Sequence, residues 1–368
     1  MRFQCEVPEL MSALNTVSRA LAVRSTMPVL EGILLESCAQ GLRLMCTDMA
    51  LSIETIIPAT IEEEGRTVMP GKLFLEVIRK LPGDTVSISV NERHAATIRC
   101  QASRTTLSGM NPMEFPELPE IEDGSQISIP QNTLRDMITK TSFAIGTDES
   151  RPILTGSLME IEPEEIRLIA LDGFRLAIRR ERMQSAAAGV QAVIGGKMIG
   201  DLSKVLDDSD EAAALTITRT HLCAQMGTTR VITRLLEGEY IRYRQILPTD
   251  FQTCVTVRRA QLAEAIDRAS LIAREGKNNL VRFKIEGDSM TLSSNAELGD
   301  VQEQIDVITE GKDIEIAFNV RYVSDVLKVL TDENVCMRFN SNVSPCVICP
   351  QEGDAYLYLV LPVRVFAS

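Results

Sequence analysis

The chain has 368 residues, too many for one hydrophobic core, so two or three domains are expected. Apolar residues at 45% and charged residues at 24% are ordinary globular usage, and no run of about 18 apolar residues offers a membrane span. A formal charge of −13 argues against a uniformly basic nucleic-acid binder, and with no Trp and five Tyr the chain has few aromatic platforms for single-stranded bases.

The opening residues Met1-Arg2-Phe3-Gln4-Cys5-Glu6 carry no apolar leader, so a cytoplasmic location is expected. The first helix is expected over 8–22, with Leu10, Leu14, Val17 and Leu21 at helical spacing, followed by short strands bounded by Gly, Asp and Asn. A second helix over 70–81 leads into an alternating strand that puts Val86, Ile88 and Val90 on one face and Ser87 and Ser89 on the other. A turn-rich joint spans Asn111 to Gly124. The order then begins again: helices over 130–145 (around Leu134 and Ile138) and 196–206, a joint at Pro248-Thr249-Asp250, and helices over 258–274 (around Leu262 and Ile266) and 320–330.

That recurrence is an internal repeat. The segments opening at Lys72, Lys197 and Arg321 share one layout at spacings of 125 and 124, and the first helices, centred on Leu10, Leu134 and Leu262, stand 124 and 128 apart. Met27-Pro28-Val29-Leu30 matches Arg151-Pro152-Ile153-Leu154, and Asp48 matches Asp172, both at 124. The expected class is α+β, with two helices per repeat on mainly antiparallel sheet and domains at 1–122, 123–250 and 251–368.

Charge is segregated. The six expected helices hold fourteen basic residues against seven acidic ones, which leaves the rest of the chain strongly acidic. Helices of that kind sharing one face would give a weakly basic surface suited to sequence-independent phosphate contact, and Arg19, Arg79, Arg135 and Lys197 are the candidates.

Catalytic chemistry has little material. The two histidines, His94 and His221, each sit in a strand-like stretch, which leaves no multi-histidine metal site or histidine triad. Ile194-Gly195-Gly196-Lys197-Met198 lacks the first Gly and the hydroxyl of a phosphate loop. Cys346-Val347-Ile348-Cys349 would point its sulfurs to opposite faces of a strand, and the nine cysteines show no framework spacing. Asp48 and Asp172 occupy equivalent places in separate repeats rather than one site. No catalytic residue, metal or cofactor is expected.

Thr47-Asp48, Arg151-Pro152-Ile153-Leu154-Thr155-Gly156, Leu171-Asp172-Gly173-Phe174-Arg175-Leu176-Ala177, Phe318-Asn319-Val320-Arg321-Tyr322-Val323 and the ending Tyr358-Leu359-Val360-Leu361-Pro362-Val363-Arg364 resemble the bacterial sliding clamps, the beta subunits of replicative DNA polymerase III. The resemblance runs the full length of the chain. It implies three clamp domains per chain and a head-to-tail homodimer closed into a ring around duplex DNA. It also implies a processivity function in replication and docking of polymerase, clamp loader and repair proteins through short motifs of the Gln-x-x-Leu-Phe kind.

By matching position, the resemblance assigns peptide binding to Leu154, Leu171, Gly173, Phe174, Arg175, Leu176, Ile241, Ile246, Val343, Leu359, Val360, Leu361, Pro362, Val363 and Arg364. Those residues read as apolar walls with two guanidinium groups for peptide carbonyls or a carboxylate. Arg24 joins the DNA candidates. The dimer seam is assigned to Lys72, Phe74, Arg99, Arg104, Thr105 and Leu107 on one side and Leu271, Ile272, Glu297, Asp300 and Glu303 on the other. Three departures stand out: Leu171 and Phe174 where the family usually has Thr and His, Tyr240-Ile241-Arg242-Tyr243 for a common Phe-Pro-Asp-Tyr, and a three-residue extension, Phe366-Ala367-Ser368.

Overall fold

A computed structural model describes residues 1–364 apart from 122, 186, 188, 277 and 278, so the Phe366-Ala367-Ser368 extension lies outside the described residues. Six α-helices occur among them: α1 (Val7–Val17), α2 (Gly71–Arg79), α3 (Gln131–Ser142), α4 (Gly196–Val205), α5 (Arg259–Ala273) and α6 (Val320–Val329). Their starts reproduce the repeat, since α1, α3 and α5 begin 124 and 128 residues apart, and α2, α4 and α6 begin 125 and 124 apart. Each forms for local reasons. Pro8 stands in the first turn of α1, where its missing N–H costs nothing, and Leu10, Ala13, Leu14 and Val17 form its buried stripe. The Asn319 side chain caps α6 by accepting from the Arg321 N–H.

The strands of the described residues pair antiparallel into four sheets. By compactness the chain divides into two units that cut across the repeats: Met1–Leu134 with Asp201–Leu235, and Arg135–Gly200 with Leu236–Ser368. The first unit holds a five-stranded sheet, ordered 60–63, 2–6, 85–90, 95–100, 103–108, and an eight-stranded one. The second holds a nine-stranded sheet and a four-stranded one, ordered 299–306, 289–296, 280–286, 314–319. Its main core joins α5 and α6 to the sheets through Phe283, Phe318, Met337, Phe339 and Tyr358, with Phe283 and Phe318 edge to face at 5.3 Å.

The larger sheets exist because strands of successive repeats pair. Strand Leu51–Ile57 of the first repeat binds Thr229–Arg234, the last strand of the second, with Arg230 opposite Glu54 and Thr233 opposite Leu51. Arg230 and Glu54 form an ion pair across that seam at 3.1 Å. Strand Arg175–Arg182 of the second repeat binds Tyr356–Val360, the last strand of the third, with Arg175 opposite Val360 and Ile178 opposite Leu357. The third-repeat equivalent of these strands, Gly299–Asp306, begins 124 residues after Arg175 and ends its own sheet without a partner on one side. Ser103–Ser108, the last strand of the first repeat, likewise ends its sheet.

One expectation is corrected. His94 is not on a strand: it adopts φ +59 in the turn joining Thr85–Val90 to Ala95–Cys100, where the Asn91 side chain accepts from the N–H groups of Arg93 and Ala95. The left-handed residue closes a hairpin. His221 does open a strand, His221–Met226, and Cys346 and Cys349 do stand on opposite faces of theirs, Cys346 facing the main core.

Because Phe318 is fully buried and packs edge to face on Phe283, Phe318→Ala is expected to cost about 3–5 kcal/mol. Urea unfolding followed by far-UV circular dichroism measures it. A loss under about 1 kcal/mol would contradict the packing described.

Candidate functional site

Of the peptide-binding candidates, Arg175, Leu176, Leu359 and Val360 meet in the second unit where strand Arg175–Arg182 pairs with Tyr356–Val360, and Leu154 and Leu171 pack beside Leu176 and Leu359. The turn Asp172-Gly173-Phe174-Arg175 leads into the first strand. Asp172 Oδ1 accepts from the N–H groups of Phe174 (2.9 Å) and Arg175 (3.1 Å), which fixes the turn. Gly173 takes φ +95, a conformation side chains resist, and a Cβ there would lie 3.1 Å from Arg151 Nη1. The Leu361 N–H then donates to the Phe174 carbonyl at 2.9 Å, and Val363 N–H to the Ala317 carbonyl at 2.8 Å, tying the C-terminal residues beside the turn.

Strand alternation separates the candidates into floor and wall. Leu154, Leu171, Leu176 and Leu359 are buried together in one cluster with Tyr240 and Tyr243, and Val360 is buried in the neighbouring core. The expectation that Leu154, Leu176 and Val360 present apolar surface to a peptide is therefore corrected: they support the site from beneath. The exposed apolar candidates are Phe174 at 56%, Ile246 at 48%, Ile241 at 42% and Leu361 at 36%, with Pro362 and Val363 half-buried. Val343 is exposed on the turn after strand Asn334–Phe339, where the Ser341 hydroxyl accepts from its N–H.

Arg175 is a second correction. Its Nε donates to Asp172 Oδ2 at 3.0 Å and its Nη1 to Asp325 Oδ2 at 2.7 Å, while its guanidinium lies 4.8 Å from the centre of the Tyr322 ring and 5.4 Å from that of Phe143. A guanidinium held this way by two carboxylates and two rings positions the turn and is not free for a ligand. Arg364 is the exposed guanidinium of the predicted pair. Phe174 stacks on Tyr322 with centroids 6.0 Å apart and planes 18° apart. Phe143, Tyr322 and Asp325 were missed by position because they come from α6 and the end of α3, brought to the turn by the fold.

Beside Ile241 lies a cavity of about 300 Å³ bordered by Leu158, Glu160, Tyr240, Tyr243 and Arg244. Glu160 is buried and accepts from Tyr243 Oη at 2.6 Å, Arg244 Nη2 at 2.9 Å and Gln191 Nε2 at 3.0 Å. Burial, with the Glu160 carboxylate beside it, pushes the Tyr243 phenol up to about 12.

Of the phosphate candidates, Arg24, Arg79, Arg135 and Lys197 are exposed and Arg19 is half-buried. Of the seam candidates, Arg104, Thr105 and Leu107 lie on edge strand Ser103–Ser108, with Arg99 exposed on the next strand, and Asp300 and Glu303 lie on edge strand Gly299–Asp306. Lys72, Leu271 and Glu297 are exposed and Ile272 half-exposed. Phe74 is corrected: its side chain is wholly inside the core of its own chain and has no surface to offer a partner. Glu303 is already engaged by Arg268 at 2.7 Å, whose hydrogen bond lowers its pKa. Asp48 Oδ1 accepts from the N–H groups of Ala50 and Leu51, the same turn role as Asp172 one repeat later.

Known families match all three repeats: the DNA polymerase III beta subunit N-terminal domain over residues 1–119, its central domain over 128–241 and its C-terminal domain over 244–364. The chain is 32% identical, over the full length of both proteins, to the beta sliding clamp of Staphylococcus aureus. Among solved structures it is similar to the DNA polymerase sliding clamp of Bacillus subtilis, at 34% identity and a TM-score of 0.96 with both chains fully covered. It is also similar to a Pseudomonas aeruginosa sliding clamp bound to griselimycin, at 28% identity and a TM-score of 0.93, covering 99% of this chain and all of that one.

The Tyr243–Glu160 contact makes a pH prediction. A phenol raised from 10.0 to about 12 favours the neutral form in the folded chain, so its contribution is full below pH 10 and is lost as pH rises towards about 12. Tyr243→Phe should remove that part of the alkaline loss and cost about 1–3 kcal/mol at neutral pH by taking away one of the hydrogen bonds to buried Glu160. Identical alkaline denaturation curves for both proteins would refute it.

Proposed function

This chain belongs to the DNA polymerase III beta-subunit family, the bacterial beta sliding clamps, and from that premise we propose that it is the processivity factor of a replicative DNA polymerase. Two copies pair head to tail into a ring around duplex DNA. The domains are 1–122, 123–250 and 251–368, the location is cytoplasmic, and the chain holds partners in place without catalysing a reaction.

The observation that carries this reading is the shared register of the two inner seams. In both, the same position of a repeat's fourth strand meets the same position of the next repeat's last strand, Glu54 with Arg230 and Ile178 with Leu357. Carried one repeat further, the rule puts Gln302 opposite Arg104, Val301 opposite Thr105 and Gly299 opposite Leu107, and both strands are unpaired edges in this chain. Exposed edges invite another strand, and these two differ in charge, Asp300 and Glu303 against Arg104. A single chain leaves both edges open; a second copy, turned head to tail, closes both.

Inside such a ring Arg19, Arg24, Arg79, Arg135 and Lys197 contact phosphates. Contacts confined to phosphates read no bases, so binding is weak, salt-sensitive and independent of sequence. The wall of Phe174, Leu361, Ile241 and Ile246, with Val343, Pro362, Val363 and Arg364 beside it and Leu154, Leu171, Gly173, Arg175, Leu176, Leu359 and Val360 beneath it, takes the short motifs of polymerase, clamp loader and repair proteins. Burying one Leu and one aromatic side chain supplies about 3–6 kcal/mol before ordering costs, a strength that exchanging partners can share.

The register is testable by cross-linking. Thr105→Cys with Val301→Cys should yield an oxidised dimer on a non-reducing gel, and that dimer should stay on circular DNA in high salt yet run off linear DNA. Pairing Thr105→Cys with Asp300→Cys, which points to the other face, should not cross-link. Equal cross-linking of both pairs would dismiss the register.

For the wall, Phe174→Ala should weaken binding of a Gln-x-x-Leu-Phe peptide about tenfold, roughly 1.4 kcal/mol. With Phe where a titrating His would stand, affinity should stay flat from about pH 5.5 to about pH 8. Calorimetry showing unchanged affinity in the variant would move the site elsewhere.

A further inference from the structure

Three cysteines share one face of the nine-stranded sheet across three neighbouring strands: Cys254 on Thr253–Arg258, Cys336 on Asn334–Phe339 and Cys349 on Cys346–Pro350. Cys336 stands between the other two. Its sulfur is 2.8 Å from that of Cys254, and it lies directly opposite Cys349 in the strand register. Arg338 occupies the same face, two residues from Cys336 and opposite both Cys254 and Val347. Cys254 is half-exposed and Cys349 keeps 7% exposure, so a small solute reaches the row, whereas Cys346 faces the core on the other side.

Three thiols in a line beside a guanidinium are more than packing requires. We propose that Cys254, Cys336 and Cys349 form a peroxide-responsive modification site in which Cys336 closes a disulfide with a flanking cysteine. The thiolate is the species a peroxide oxidises. A hydrogen bond from Cys336, opposed by burial and aided by the Arg338 charge, lowers the pKa of Cys349, while burial raises that of Cys254 to about 11. Cys349, directly opposite Cys336 in the register and eased towards its thiolate, is the sulfur that attacks the peroxide.

The chemistry balances with hydrogen peroxide as oxidant. The Cys349 thiolate breaks the O–O bond and becomes a sulfenic acid, releasing hydroxide, which takes up a proton as water. The Cys336 thiol then attacks that sulfur and expels a second water, leaving a Cys336–Cys349 disulfide. Cys254, on the far side of Cys336, is placed to exchange into the bond, with Cys349 leaving as the more acidic thiol.

The test uses the full-length reduced protein, hydrogen peroxide, alkylation under denaturing conditions and peptide mapping by mass. The expected result is loss of two alkylatable thiols, one of them Cys336 and the other Cys349 or Cys254, restored by dithiothreitol. Cys349→Ser should slow that loss about tenfold by removing the thiolate. Cys336→Ala should abolish disulfides within the row; if its circular dichroism shows misfolding, the double variant Cys254→Ser with Cys349→Ser makes the same demand. Full alkylation of all three after peroxide, loss confined to Cys38, or unchanged kinetics in Cys349→Ser would overturn the proposal.

Discussion

An antiparallel strand satisfies its backbone on both sides only if a neighbour lies on each, and this constraint organises the molecule. Each repeat ends its first half on a strand whose outer edge its own residues leave open: Leu51–Ile57, Arg175–Arg182 and Gly299–Asp306. The first two are covered by the last strand of the following repeat. Sheet continuity therefore ties half of one repeat to half of the next, which is why the compact units cut through the middle repeat rather than between repeats. The same constraint, applied to the third strand, is the physical case for a second copy.

The period of the fold was legible because it is written in local signals. Helix spacing, the Pro28 and Pro152 turns and the paired Asp48 and Asp172 each act over a few residues, and they recur at offsets between 124 and 128. The seams were less legible from residue pattern alone, since pairing of 51–57 with 229–234 joins segments far apart in sequence, and nothing in either strand names its partner. Charge segregation was visible in composition, but which cations remain exposed is decided by neighbours. Lys140 is paired with Asp136 and Lys204 with Asp201, and Arg175 is consumed by Asp172 and Asp325.

Burial explains the remaining misreadings. Matching positions identified residues near the candidate groove but could not separate those that face outward from those that support them. Leu154, Leu176 and Val360 were assigned to the peptide surface by matching position, yet Leu154 and Leu176 pack inward with Tyr240 and Tyr243, and Val360 lies in the neighbouring core. Phe74 fell to the same error on α2, where it is the buried member of a helical turn whose neighbours Lys72 and Leu73 are exposed. Contacts between sulfurs on three different strands could not be read from cysteine spacing at all.

Equivalent positions of the three repeats also show how one turn carries different side chains. In the first repeat Asp48 caps a turn in which Met49 takes φ +75 and Ala50 follows; in the second, Asp172 caps the same turn with Gly173 at φ +95 and Phe174 following. The third repeat has no aspartate there, and Leu298, in the place of Ala50 and Phe174, is 79% exposed beside the open edge. The backbone device is thus shared by two repeats, and the side chain one position past the left-handed residue is where they differ. At the second seam that side chain stacks on Tyr322 of α6, with Arg175 held against the same ring. An uncharged ring held on a fixed turn is a preformed apolar wall, and a preformed surface spares its own side the cost of ordering when anything docks on it.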